Sequence, residues 1–180
     1  MGRFRLSLSI LCLLLLAACS GARTGGTTQT RNTEVLVTQP TQTVTPVTGA
    51  MTLTSPAAVE GGQMPSAFTC DGGRLSFPLN WKNAPAETKA FALLMTTLPG
   101  DGTTKWNWVI YNIAPTETRL VVNTTGVGVL GSADDGAGAA YAPPCSQGPG
   151  AKVYTFTLYA LSAPLSFALP INQITGRVVT

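Results

Sequence analysis

The sequence predicts a mainly β protein, with two antiparallel sheets packed as a sandwich, non-local connections and few short helices. Three observations carry this reading. Glycine (19) and proline (13) are dense in a chain of 180 residues, which marks many turns and short strands rather than long helices. Three segments have strand character and are separated by long loops. Only one segment reads as helix, and an excess of strands over helices favours a sandwich.

Lys89 to Thr97 (KAFALLMTT) is a continuous apolar run, as expected of a strand buried on both faces. Trp106 to Ile113 (WNWVIYNI) is aromatic and β-branched, and strand periodicity places Asn107, Val109, Tyr111 and Ile113 on one face. Trp106 and Trp108 are read as core or interface residues rather than a shared stacking platform. Val153 to Leu161 (VYTFTLYAL) alternates, with Tyr154, Phe156 and Leu158 on one side and Thr155, Thr157 and Tyr159 on the other. Pro99-Gly100-Asp101-Gly102 and the stretch from Gly126 to Gly150 are loops. Pro170 to Arg177 is expected to form one short helix with Pro170 in its first turn. Phe68, Leu79, Trp81, Phe91, Leu93, Trp108, Ile110, Phe156 and Leu158 form the expected core.

The N-terminus reads as an address. Arg3 and Arg5 precede an apolar run from Leu6 to Leu16, which is too short to span a bilayer. The run ends Leu16-Ala17-Ala18-Cys19, which resembles a bacterial lipobox. Residues 1–18 are therefore expected to be a lipoprotein signal peptide, with Cys19 acylated as the first mature residue. An ordinary signal peptide cut at Ala-Ala is the alternative. Ser20 after the cysteine fits sorting to the outer membrane, facing the periplasm. Residues 19–50 are Thr-, Gln- and Gly-rich, with Pro40 and Pro46 opposing helix, and are expected to form a tether. Residues 51–180 are the expected single β domain.

Composition removes several function classes. The chain has no histidine, which excludes Ser-His-Asp and Cys-His catalysis, histidine-bearing zinc sites and a histidine pH switch. The net charge of +3 is too small for a nucleic-acid-binding stripe, and loss of Arg3 and Arg5 with the leader would remove most of it. Cys12 would leave with the signal. Cys70 and Cys145 then remain, either as a disulfide in an oxidising periplasm or as two unrelated buried thiols. Without histidine, two cysteines cannot complete a four-ligand zinc site. Ser76, Ser132 and Ser146 have no histidine base, and Lys152 is a weak substitute. Asp134-Asp135 lacks the spacing of a calcium loop and is read as solvated charge. The glycine stretch GVGVLGSADDGAG carries no Walker-type lysine. Asn123-Thr124-Thr125 is a glycosylation sequon that a bacterial host would leave idle.

Six blocks in order resemble one family. Thr69-Cys70-Asp71-Gly72 with Ser76-Phe77-Pro78-Leu79-Asn80-Trp81 resembles the "TCDG…SPPLSW" opening of bacterial phosphatidylethanolamine-binding proteins, relatives of Raf kinase inhibitor protein. The segment from Ala84 to Leu93 is similar to their "VPAGTKSFAL", Trp106 to Ile113 to "WVHWVLYNI", and Tyr141 to Cys145 to "YGGPCPP". Tyr154 to Leu161 resembles "YFFTLYAL", and Thr175 to Val178 resembles "GHVLA", beyond which relatives usually continue. Either a shortened member or an early end of the reading frame is therefore expected.

The resemblance implies a two-sheet fold with peripheral helices and a pocket for phosphate-like anions. Its polar residues carry over only in part. Thr97-Leu98-Pro99 stands at the family's "DPD" turn. Asn107 and Lys152 stand where histidines are usual, and Val153 replaces an arginine. Pro143 replaces a glycine whose N–H would face the anion. Asp71, Pro144 and Tyr154 match. The expected ligand-binding set is thus Asn107, Lys152, Tyr154, Pro144, Thr97 and Asp71, with no catalytic residue, metal or cofactor. The expected function is an envelope-anchored, non-catalytic binding module for a small ligand or phospholipid headgroup, with an altered anion pocket whose ligand is neutral, weakly anionic or absent. The alternative is an interaction or inhibitor protein that presents the glycine-rich loop to a protein partner. A residual hydrolase stands third.

Overall fold

A computed structural model of the chain describes residues 2–9, 50–134, 138–145 and 150–180. Among the described residues, eight strands form two sheets. They are β1 (Gly2–Ser9), β2 (Thr52–Thr54), β3 (Leu79–Lys82), β4 (Ala90–Thr97), β5 (Lys105–Ile113), β6 (Arg119–Leu120), β7 (Val129–Leu130) and β8 (Lys152–Leu161). The larger sheet has the order β1-β8-β4-β5-β7 and the smaller the order β2-β3-β6. All pairings are antiparallel except that of β1 with β8. The mainly β, two-sheet architecture is the one the sequence predicts.

The three principal strands fall where the apolar patterns place them. β4 is buried along almost its whole length, because β5 and β8 flank it and both its faces are covered. In β8, Tyr154, Phe156 and Leu158 enter the inner core, while Tyr159 packs on the outer face. All nine expected core residues lie in the inner cluster, joined by Phe77, Met95, Ile113 and Leu120 among others. Phe77 stacks on Phe156, with ring centroids 5.1 Å apart, and meets Phe68 edge-on at 4.9 Å.

Strict alternation fails in β5. Along β4, Met95 pairs with Trp108 and the next residue, Thr96, pairs with Trp106, so Asn107 is an extra residue without a partner. A second shift occurs between Phe91, opposite Ile113, and Leu93, opposite Ile110. There Asn112 takes a left-handed φ of 54°. These are β-bulges, each of which reverses the facing of the residues beyond it. Ile113 therefore joins the inner core with Ile110, while Tyr111 packs outside against Phe167, contrary to the common face expected for Asn107, Val109, Tyr111 and Ile113. The Asn112 amide also pins the C-terminal segment. Its Nδ2 donates to the Leu165 carbonyl at 2.8 Å, and its Oδ1 accepts from the Leu165 N–H at 2.7 Å.

The expected C-terminal helix is split. A 3-10 turn covers Ile171–Gln173, the chain leaves helical geometry at Ile174 and Thr175, and a single turn, α1 (Gly176–Val179), comes next. Pro170 precedes the 3-10 turn with an extended ψ of 147°. Gly176 lies against the Trp106 ring so closely that a Cβ there would collide with it.

Gly2–Ser9, expected in the leader and so outside the fold, lies parallel to β8, from Gly2 opposite Lys152 to Ser9 opposite Tyr159. An open strand edge presents unpaired backbone groups that an extended segment can satisfy. The rest of the expected leader, Cys19 and the tether to residue 49 lie outside the described residues. Among the described residues no helix is long and apolar enough to cross a membrane.

Candidate functional site

Antiparallel pairing sets the end of β4 beside the starts of both its neighbours. Thr97 is opposite Lys105 on one side and Tyr154 on the other. A cavity of about 170 Å³ opens at this corner, lined by Thr97, Pro99, Lys105, Asn107, Pro143, Cys145, Lys152 and Tyr154. At about 30 Å³ per water molecule, it holds five or six waters. That is room for a small oxyanion. A groove of about 570 Å³ shares Thr97, Pro99 and Lys152 with the cavity. Another groove, of about 590 Å³, lies around Trp106, Thr157, Tyr159 and Arg177. The smaller cavity is the one where the cations, the amide and the phenol converge.

The lining is basic and contains no acid. Lys105 is exposed and Lys152 half-buried. Neither ammonium has an ion pair or side-chain hydrogen bond among the described residues. Two unpaired cations at the rim of a small cavity attract anions, and partial desolvation strengthens that attraction. The Thr97 hydroxyl donates to the Val153 carbonyl at 2.9 Å, so only its lone pairs face a ligand. Burial raises the Tyr154 pKa above the ordinary tyrosine value of 10.0, which keeps the phenol protonated at neutral pH. Tyr141, behind it, is raised further by burial and then by the neighbouring Tyr154. Its hydroxyl donates to the Phe68 carbonyl at 2.9 Å, and its ring meets Trp108 edge-on at 5.2 Å.

The bulge is what brings Asn107 here. Its Nδ2 donates to the Ala142 carbonyl at 3.3 Å, and its own carbonyl accepts from the Ala142 N–H at 2.7 Å. This two-way link fastens β5 to the segment carrying Pro143 and Cys145. A second tether comes from residues 69–72. The Cys70 N–H donates to the Pro144 carbonyl at 3.0 Å, and Cys70 and Cys145 stand as a bridged pair with Cα atoms 5.1 Å apart.

Of the six residues expected at the ligand site, the structure brings four together: Thr97, Asn107, Lys152 and Tyr154. Two stand apart. Asp71 is exposed in a turn, where its N–H donates to the Thr69 hydroxyl, and it is not part of the lining. Pro144 is buried beside the cavity, and Pro143 presents its ring there instead. Lys105 was missed. Its position two residues before Asn107, on the face that strand periodicity gives Asn107, was the available signal.

Other candidates resolve into structural roles. The Asp134 carboxylate accepts the Trp106 N–H at 3.2 Å, while the Asp134 N–H donates to the Trp106 carbonyl at 3.0 Å. Asp135 and Ser146 lie outside the described residues. No group of three His, Cys, Asp or Glu side chains fit to hold a metal occurs among the described residues. The Ser76 hydroxyl accepts the Thr124 N–H, and Ser132 donates to the Ala133 carbonyl.

Comparison with known proteins agrees with this fold. The model of the family described as phosphatidylethanolamine-binding protein matches residues 54–179, more than half of the chain. The chain belongs to the phosphatidylethanolamine-binding protein family. It is 37% identical over 120 residues to a UPF0098 protein of Methanothermobacter thermautotrophicus, covering 64% of this chain and 79% of that one. It is 30% identical over 162 residues to LppC of Mycobacterium tuberculosis, whose name describes a lipoprotein, covering 87% and 79% respectively. Among solved structures, the family homologue CT736 of Chlamydia trachomatis superposes with a TM-score of 0.60 at 31% identity, covering 66% of this chain and 79% of that one. YbcL of E. coli, described as a member of the mammalian family, gives 0.61 at 26% identity, covering 72% and 86%.

Proposed function

We propose that this phosphatidylethanolamine-binding family member is a non-catalytic binding module. Its ligand is a small anion of the phosphate kind, free or as a headgroup, held in the cavity at the end of β4. One observation carries the reading: Lys105 and Asn107 of β5 and Lys152 and Tyr154 of β8 line one cavity of oxyanion size. The lysines supply charge, the Tyr154 phenol supplies a neutral donor, and Asn107 fixes the wall. Pro143 offers no N–H, so recognition falls on side chains rather than backbone.

In this proposal the protein sits on the cell envelope, held there by acylated Cys19. The likeness to LppC extends over more of the chain than residues 54–179, so it reaches into the N-terminal segment. Two or more acyl chains give stable membrane anchoring.

Calorimetry with inorganic phosphate and with phosphoethanolamine tests the cavity. Removal of a charge-assisted contact in Lys152→Ala is expected to weaken binding about tenfold. Absence of binding to either probe, in protein shown to be folded, overturns the reading and leaves a protein partner as the alternative. For the anchor, Cys19→Ser is expected to move the protein from the membrane to the soluble fraction. A Cys19 found unmodified by mass spectrometry in the membrane fraction would refute it.

A further inference from the structure

The larger sheet carries a second concave surface on its other face. Thr97, Lys105 and Tyr154 are paired across the sheet and line the anion cavity. Strand alternation sends the next row, Thr96, Trp106 and Thr155, to the opposite, outer face. Thr157 and Tyr159 share that face, because Phe156 and Leu158 between and beside them enter the inner core. The C-terminal segment packs on the adjoining part of the outer face, around Ala92 and Tyr111, through Leu165, Phe167 and Ile174. A groove of about 590 Å³ runs over Leu94, Thr96, Thr157 and Tyr159, with residues 102–104, Trp106 and Arg177 of α1 also lining it. It has no lining residue in common with the anion cavity.

The groove holds hydroxyls, one indole and one cation, and no acidic side chain lines it. The nearby Asp101 and Asp134 carboxylates accept the Thr103 and Trp106 N–H groups. Arg177 is exposed, with its guanidinium 5.6 Å from the Trp106 ring centroid, and has no ion pair or hydrogen bond among the described residues. The hydroxyls of Thr103, Thr104, Thr157 and Tyr159 and the Trp106 indole N–H also have no hydrogen-bond partner there. The buried polar atoms without a partner are Thr52 Oγ1, Trp81 Nε1 and Asn107 Oδ1, so the polar atoms of the groove are accessible.

We propose that this groove is a second binding site, separate from the anion cavity, for a hydroxylated carboxylate: an acidic sugar unit of a glycan. The planar guanidinium fork matches a carboxylate with two parallel hydrogen bonds, and its place over the Trp106 ring holds it ready for them. Each hydroxyl of the groove both donates and accepts, as sugar hydroxyls do, so the two sets pair in either sense. An acyl chain would cover these groups without pairing them, at a cost in desolvation. One unpaired cation among neutral hydroxyls mirrors a ligand with one carboxylate among hydroxyls. The space of about 590 Å³ is that of about twenty waters, which is room for a sugar ring.

The test is calorimetry of the full chain at neutral pH with digalacturonic acid and with its dimethyl ester, which keeps the rings and hydroxyls and removes the charge. The acid is expected to bind about tenfold more tightly than the ester, the usual effect of one charge-assisted pair. In Arg177→Gln the acid should bind about as weakly as the ester does. In Tyr159→Phe, which loses only a hydroxyl, acid and ester should weaken together by a few-fold. Inorganic phosphate, added at constant ionic strength, should not displace the acid. Failure of the acid to bind, or equal binding of acid and ester, overturns the proposal and leaves the anion cavity untouched. Displacement by phosphate also overturns it, since the acid then occupies the anion cavity. Should Arg177→Gln fail to fold, the ratio of acid to ester in the unaltered protein, with the phosphate competition, still decides.

Discussion

Reduction of the Cys70–Cys145 pair should both destabilise the domain and loosen the cavity. The cysteines are 75 residues apart in sequence. Chain-entropy treatment of a loop that long gives about 4.5 kcal/mol at 25 °C, an upper figure because the reduced chain retains some structure. For a domain of this size the corresponding fall in Tm is roughly 10–20 °C. Cys145 lines the cavity, and the neighbouring Pro144 carbonyl is held by the Cys70 N–H, so the bridge steadies the cavity wall as well. Circular-dichroism melts with and without reductant, alongside a thiol count on denatured, unreduced protein, would measure the effect. The Cys70→Ser/Cys145→Ser double variant should melt with the reduced protein and bind phosphate more weakly. Coincident melts of reduced and oxidised samples, with the oxidised sample shown to have no free thiol at these positions, would refute the reasoning. So would two free thiols in protein prepared from the periplasm.

Three further outcomes are expected. Phe77→Ala removes a fully buried ring from between Phe68 and Phe156 and should lower unfolding stability by about 3–5 kcal/mol in urea titrations, with little change in the slope. Tyr141 and Tyr154 have raised pKa values in the fold and titrate at ordinary values when unfolded. Their contribution is therefore complete below pH 10.0 and lost as pH rises beyond it. Alkaline melts should show Tm falling above that point, with a shallower fall in Tyr141→Phe. Gly176→Ala forces a Cβ against the Trp106 ring and should displace α1, lowering Tm and disturbing the Arg177 guanidinium that sits 5.6 Å from the ring centroid. Indole fluorescence that is unchanged in this variant would count against the packing.

The family relationship gives a sense to the departures from its pattern. Where the relatives' motif has histidine, this chain has Asn107, which the bulge and Ala142 hold in one orientation. Where the motif has glycine, Pro143 withdraws a backbone donor. On the proposed reading, these two positions leave recognition to lysine charge and side-chain donors rather than to backbone N–H groups. Lys105 adds to that charge, placed there by the paired register of β4 and β5.

Much of this protein is written in local pattern. KAFALLMTT and VYTFTLYAL identify their strands because burial on two faces or on one leaves a distinct residue period. The expected core residues are large and apolar wherever they occur, so their burial follows from the hydrophobic effect without knowledge of partners. The ordered blocks point to the family for the same reason, each being a short run whose chemistry is complete in itself. Tertiary structure decided the rest. A bulge depends on how one strand registers against another, so no period within WNWVIYNI could announce that Asn107 stands unpaired or that Ile113 changes face. The exclusion of Asp71, the exchange of Pro144 for Pro143 and the entry of Lys105 have the same origin. A cavity is a relation among segments distant in sequence, and its membership is set by strand pairing, which the chain encodes only through the whole fold.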